Sequence, residues 1–187
     1  MTIRHAITGG RIAAVAAGLL VLVGLGATLP ERIGRAEAYK QAAAASRLLE
    51  REQLGDFFAC TLVDARPSKL DAAGVRTRFA RMGGLLGGAF APVLRSCGPR
   101  MDALVAGVQA LQVPTKLSPH HAAMVAAVDA LRTATARYQK YLAGLDGAYD
   151  AAVAAPMLDS LGQALSAYQA ATRGLQRALG QAPGPAD

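Results

Sequence analysis

The side chains that most often carry out chemistry are scarce in this chain, which has three histidines and two cysteines among 187 residues. His5 belongs to a basic N-terminal segment, so His120 and His121 are the candidates for a metal site. Adjacent side chains on a helix point about 100° apart and rarely share one metal ion. Cys60 and Cys97 form neither a CxxC redox motif nor a CxxCH haem-attachment motif. We therefore expect no metal site and no cofactor.

Motifs of enzymes are absent as well. The sequence contains no HExxH, ExxH, GxSxG or GxxxxGK[ST] pattern, and these patterns are typical of zinc proteases, di-iron bundles, α/β-hydrolases and phosphate-binding loops. The carboxylates do not combine with a histidine or cysteine at the spacing of a catalytic pair. We expect a protein that is not an enzyme and that has no catalytic residues.

The N-terminus has the layout of an export signal or membrane anchor. Arg4 and Arg11 precede an uncharged apolar run from Ile12 to Leu29, which as a helix would rise about 27 Å, enough for a thin bilayer core. A signal peptide cleaved after Ala38 is the alternative, because residues 36–38 form an A-x-A pattern. The sequence predicts an inner-membrane protein with its body on the periplasmic or extracytoplasmic side, or an exported protein if cleavage occurs.

Composition predicts an all-α body. The chain has 42 alanines, no tryptophan and only 5% aromatic residues, which favours helices over sheets. Apolar residues at heptad spacing, together with proline and glycine stops, predict a four- to five-helix antiparallel bundle after the N-terminal helix. We divide the chain into a signal or anchor (1–30), a helical bundle (31–180) and a disordered tail (181–187). The predicted helices run from Glu31 to Val63, from about Ser68 to Leu94 with a stop at Ser96–Pro99, from Met101 to Leu111, from 119 to 146 and from 156 to 179.

The last two of these helices carry the clearest pattern. Each has a seam of apolar positions that steps by three and four residues and contains a single threonine. Because the two helices have similar lengths and a short connection, we expect them to pack as a coiled-coil-like hairpin. Ser118 is the expected N-terminal cap of the first helix, and Pro156 the expected start of the second.

The segment from Arg66 to Arg100 holds most of the body's excess positive charge. It has seven basic residues and one acid, Asp71. The exposed members predicted to contact an anionic surface are Arg76, Arg78, Arg81 and Arg95. A solvated face without a partner is the alternative, and nucleic-acid binding is not expected because exposed aromatic residues are not interleaved with the basic ones.

Four glycines interrupt this segment, at Gly83, Gly84, Gly87 and Gly88. They allow three interpretations: a doubled small-xxx-small face for close helix packing, a hinge that breaks the helix, or an apolar stretch between arginines that lies in an anionic lipid headgroup layer. The two cysteines favour the hinge. An exported domain with two cysteines usually pairs them, and a Cys60–Cys97 disulfide requires the chain to double back between them.

These features together predict a non-enzymatic helical bundle of the cell envelope, anchored in the membrane or exported, that acts as a structural or interaction module. Its expected partners are the membrane through the N-terminal helix and an anionic lipid or an acidic protein through the basic segment. A bundle that holds a small hydrophobic ligand or haem is the alternative function.

Overall fold

The computed structural model describes residues 34–61 and 71–180, and all regular structure within these two ranges is helical. The predicted all-α class is therefore confirmed for the described residues, whereas the predicted anchor and the predicted disordered tail lie outside them. The helices are, in chain order, α1 (34–61, with a π-helical turn at Leu49–Gln53), α2 (Ala72–Leu86), α3 (Phe90–Ala110), α4 (Ser118–Ala143) and α5 (Ala151–Gly180).

Helices α4 and α5 form the predicted hairpin, and their heptad seams are its core. Each seam has one buried threonine, Thr135 in α4 and Thr172 in α5. The predicted seam positions that are buried are Met124, Val128, Leu131, Tyr138 and Leu142 in α4, and Leu158, Leu161, Leu165, Tyr168, Leu175 and Leu179 in α5. Apolar burial along these two stripes is the main physical reason for the hairpin, since isolated helices are marginal in water.

The other three helices pack around this hairpin. Helix α3 lies against α4, α1 lies against α3, and α2 lies against α5. Asp71 caps α2, because its carboxylate accepts a hydrogen bond from the Gly74 amide at 2.5 Å. A disulfide between Cys60 and Cys97, with Cα atoms 5.8 Å apart, joins the end of α1 to the middle of α3.

Neighbouring helices run antiparallel, so the start of α1 and the junction of α2 and α3 lie at opposite ends of the bundle. Cys60 pairs with Cys97, while Leu49 contacts Gly107 farther along α3. Residue 34, where the described part of α1 begins, therefore lies at the far end from the junction of α2 and α3. Since the 26 residues of α4 rise about 1.5 Å each, the two ends are about 40 Å apart. We call the end that contains Gly87–Ala89 and the 144–150 loop the hinge end.

The expected helix stop at Ser96–Pro99 is wrong. Helix α3 continues through Pro99 to Ala110, and the chain breaks earlier, at a 3-10 turn over Gly87–Ala89. Proline inside a helix removes one backbone hydrogen bond and costs roughly 3 kcal/mol. Helix α3 offsets that cost by burying side chains on both sides of the proline, including Leu94, Cys97, Met101 and Leu104.

Two helix starts also differ from expectation. Helix α5 begins five residues before Pro156, because the Asp150 carboxylate accepts hydrogen bonds from the amides of Ala152 and Val153 at 2.8 and 3.2 Å. Ser118 begins α4, but its side chain makes no capping hydrogen bond, because a 3-10 turn at Thr115–Leu117 leads into the helix. The sequence pattern could not distinguish these local arrangements from the expected ones.

Candidate contact surface at the hinge end

Arg76 is not a free cation of the basic segment. Its guanidinium forms an ion pair with Asp159 on α5. Its aliphatic stem crosses Gly162, where a Cβ atom would lie 2.6 Å from the arginine Cδ. Arg76 therefore attaches α2 to α5, and its contact with an anionic surface stays a prediction.

Arg78, Arg81 and Arg95 are exposed, and none of them makes an ion pair with another described residue. Arg78 and Arg81 lie one turn apart on the outer side of α2. Arg95 belongs to α3, on the other side of the Gly87–Ala89 turn. The structure therefore divides the predicted basic surface between two helices that meet at the Gly87–Ala89 turn.

Two exposed leucines follow these arginines on α2. Leu85 is 69% exposed and Leu86 is 41% exposed, although the apolar stripe of α2 predicts that Leu86 is buried. Val153, at the start of α5, is a third large apolar residue exposed at this end. Leu48 on α1 is 50% exposed and lies elsewhere. We call the set Arg78, Arg81, Leu85 and Leu86 the hinge-end surface.

The four glycines have separate roles. Gly87 has φ +52° and ends α2, so the hinge interpretation applies to this residue. Gly83 is buried, and a Cβ atom there would collide with the Tyr138 hydroxyl and lie 2.6 Å from the Tyr149 ring. Gly84 and Gly88 are both exposed. Gly88 nevertheless lies close to α4, because a Cβ atom there would be 3.3 Å from the Leu142 carbonyl oxygen, whereas a Cβ atom at Gly84 would have its nearest contact 3.9 Å away. Close packing therefore applies to Gly83 and Gly88, one glycine of each predicted pair.

We expect Gly87→Ala to lower the free energy of unfolding by about 1–2 kcal/mol, because residues with a Cβ atom are strained at positive φ. The measurement is urea denaturation followed by circular dichroism. Gly84→Ala is the comparison: its φ is not positive and its Cβ atom would have its nearest contact 3.9 Å away, so it should not lose stability. Equal stability of the Gly87→Ala variant and the parent chain would contradict the left-handed turn.

The hydroxyl groups of three tyrosines join the elements that meet at the hinge end. The Tyr138 hydroxyl donates to the Phe79 carbonyl oxygen at 2.9 Å, which ties α4 to α2, and also approaches the Tyr149 hydroxyl at 3.4 Å. Burial raises the pKa of Tyr138 well above its usual value, so the hydroxyl stays protonated as a donor. The Tyr141 hydroxyl donates to the Asp150 carbonyl and accepts from the Asp150 amide, at 2.9 and 3.0 Å.

Sequence reasoning correctly predicted that Tyr138 and Tyr168 are core residues, but it missed the role of Tyr141 and Tyr149 in the 144–150 loop. Tyr141 lies just before that loop and Tyr149 lies near its end, with ring centroids 6.0 Å apart. The signal that could have revealed this role is the pair of tyrosines close to the connection between the last two predicted helices. Their contacts hold the end of the loop against α4.

The two neighbouring histidines of α4 contact different parts of the bundle. His121 Nε2 lies 2.7 Å from the Val108 carbonyl oxygen, and His120 is exposed beside Gly174. Among residues 34–61 and 71–180, His, Cys, Asp and Glu side chains form no group of three that could hold a metal ion.

A groove between α3 and α4 is a candidate for a small-molecule site. It has a volume of about 390 Å³ and an apolar floor that includes Phe57, Leu94 and Met101. Gly98 borders open space in the groove, because a Cβ atom there would meet no atom within 4 Å. Asp102 and Arg132 lie at its polar margin.

Comparison with known proteins does not assign the chain to a family: no family model, no curated protein and no solved structure matches it. Within the part of the chain that the structure describes, no helix combines the length and apolar character needed to span a bilayer. The apolar run from Ile12 to Leu29 lies outside that part.

Proposed function

We propose that this chain is a non-enzymatic contact module of the cell envelope, and that its hinge-end surface binds an anionic partner. The N-terminal apolar run would hold the chain at the inner membrane with its body on the periplasmic or extracytoplasmic side. If the chain is cleaved after Ala38 instead, the same module would be exported.

The observation that carries this proposal is the exposure of Leu85 and Leu86 directly beside two arginines without ion-pair partners among the described residues. Exposed apolar side chains are common on soluble proteins when they are scattered singly. Here two are consecutive, at the end of a helix that presents a cationic outer face. Apolar contact together with positive charge suits an anionic partner that also offers apolar groups.

The disulfide supports the expected location. Cys60 and Cys97 are the only cysteines of the chain, and both are used in one bond between α1 and α3. Disulfides persist in oxidising compartments outside the cytosol. An intact mass measurement under reducing and non-reducing conditions would show both the oxidation state of the cysteines and whether the N-terminal segment is removed.

Photo-crosslinking in intact cells tests the contact surface without assuming a partner. A photoreactive side chain at residue 85 of the full chain should form adducts, whether with lipid or with protein. The same group at residue 48, which is also an exposed leucine position, should form far fewer. Charge reversal through Arg78→Glu and Arg81→Glu should abolish the adducts at residue 85. Equal yields at residues 85 and 48, or adducts unaffected by charge reversal, would refute the proposed surface.

A second candidate function follows from the groove between α3 and α4. A volume of about 390 Å³ with an apolar floor falls within the usual range for small-ligand sites. This candidate would be supported if an apolar molecule can be extracted from the purified chain. The molecule should be lost in a Gly98→Leu variant, whose leucine side chain would fill the groove.

A further inference from the structure

We infer that the partner of the hinge-end surface is an anionic phospholipid bilayer, with Leu85 and Leu86 entering the interface and Arg78 and Arg81 contacting lipid phosphates. The inference rests on the proposed function and assigns the chemical class of its partner.

Three of the four side chains can face one bilayer surface together. Arg78 and Arg81 lie one turn apart, and Leu85 lies one further turn along the same side of α2. A helix that lies at a membrane interface places leucines at the boundary between headgroups and acyl chains and arginines at the level of the phosphates. The arginine stems are long enough to reach phosphates while the leucines are inserted.

The charge around the surface favours an anionic bilayer. Residues 72–100 contain five arginines and no aspartate or glutamate. The acids at this end are Asp146 in the 144–150 loop and Asp150, which caps α5, and both are exposed. Arg137 and Lys140 on the last turns of α4 balance these two charges, so Arg78 and Arg81 remain in excess. The local field is therefore positive.

A lipid surface explains the leucine pair better than an acidic protein does. The hinge-end surface offers two adjacent leucines that project from the last turn of a helix. The groove beside it, between α2 and α5, is lined by Ala80, Tyr149 and Ala155 and does not include either leucine. Protein partners usually bind through a packed patch around a central anchor. A projecting leucine pair with basic residues behind it needs no shaped counterpart, and a fluid interface accommodates it.

The position of the surface makes the inference testable in the full chain. Residue 34 lies about 40 Å from the hinge end, because α4 spans that distance between the two ends. Association through the N-terminal segment therefore does not by itself bring Leu85 to a membrane. A probe at residue 85 reports on the hinge-end surface alone.

Because the chain contains no tryptophan, Leu85→Trp introduces a unique fluorophore, and Leu48→Trp is its matched control at another exposed leucine. Both full-length variants are mixed with phosphatidylcholine vesicles and with vesicles that also contain phosphatidylglycerol, in each case with brominated acyl chains. We expect a blue shift and quenching only for Leu85→Trp and only in the anionic vesicles. Added salt should weaken both effects.

Two further substitutions in the Leu85→Trp chain, Arg78→Gln and Arg81→Gln, measure the contribution of the arginines. Each arginine near an anionic bilayer strengthens association by about five-fold, so together they should reduce partitioning by about 25-fold. Unquenched Leu85→Trp in anionic vesicles, equal quenching of Leu48→Trp, or partitioning unaffected by loss of the arginines would overturn the inference. If residue 85 nevertheless forms arginine-dependent adducts with a protein in cells, the proposed function holds and the partner is an acidic protein instead.

Discussion

Replacing Cys60 and Cys97 together with alanine is expected to lower the free energy of unfolding by about 4 kcal/mol. The bond closes a loop with a sequence separation of 37 residues, and the chain-entropy model gives about that value for a loop of this size. The loop contains α2 and the hinge-end surface. Without the bond, the unfolded chain gains conformational entropy, because the loop is no longer closed. In the native state, only non-covalent contacts then hold α1 against α3.

Urea denaturation of the double variant and of the reduced parent chain measures this effect. The two should agree, because each lacks the bond, and both should fall well below the oxidised parent. The dependence of the unfolding free energy on urea should also steepen, since the unfolded state expands when the loop opens. Cys97 is fully buried and Cys60 partly buried, so alanine leaves only a small cavity at either position. A loss below about 1 kcal/mol would mean that the chain-entropy model does not describe this loop.

The heptad seams of α4 and α5 could be predicted from the sequence because local periodicity alone determines them. Every apolar position from Met124 to Leu142 on the α4 seam is buried. The same reasoning failed at Leu86, which continues the apolar stripe of α2 but is 41% exposed at the end of that helix. A periodic pattern shows which side of a helix is apolar, but it does not show how much of that side a neighbouring helix covers.

The break in the basic segment could be predicted only in part. Four glycines and two cysteines indicated a break between residues 83 and 88, but nothing local distinguished Gly87, which ends α2, from Gly83, which packs against tyrosines. Pro99 does not end its helix as predicted, because the burial of Cys97 and Met101 outweighs one lost backbone hydrogen bond.

The ion pair between Arg76 and Asp159 could not be predicted because it depends on the register of α2 against α5, which are separated by more than sixty residues of chain. For the same reason, the sequence did not separate Arg76 from Arg78 and Arg81. The sequence therefore indicated the positive charge of the candidate surface. The packing of α2 against α5 determined which arginines, Arg78 and Arg81, lie beside the leucines without an ion pair to another described residue.

Gly83→Ala is expected to destabilise the domain by about 2–3 kcal/mol, because the hinge end has no room for a methyl group at this position. The new Cβ atom would collide with the Tyr138 hydroxyl and lie 2.6 Å from the Tyr149 ring. Tyr149 is partly exposed and can move, but Tyr138 is fully buried and its hydroxyl bonds to the Phe79 carbonyl. Overpacking typically costs about 1–3 kcal/mol, and an unpaired buried hydrogen-bonding group about 1–3 kcal/mol more.

The adjacent Gly84→Ala variant is the matched control. Its Cβ atom would have its nearest contact 3.9 Å away, and alanine is favoured over glycine in a helix by about 1 kcal/mol. We expect this variant to be as stable as the parent chain or slightly more stable. Both glycines gain the same helix propensity on substitution, so the difference between the two variants isolates the steric conflict at Gly83.

A second substitution separates the two parts of that conflict. Tyr138→Phe removes the hydroxyl that the new methyl group would meet, so Gly83→Ala should cost less in a Tyr138→Phe chain than in the parent. Thermal unfolding of the four chains gives the coupling between the two residues. Additive effects would place Tyr138 away from Gly83. Strong coupling would show that Gly83 and the buried Tyr138 hydroxyl are in contact, at the last buried position of α2 before the exposed Leu85 and Leu86.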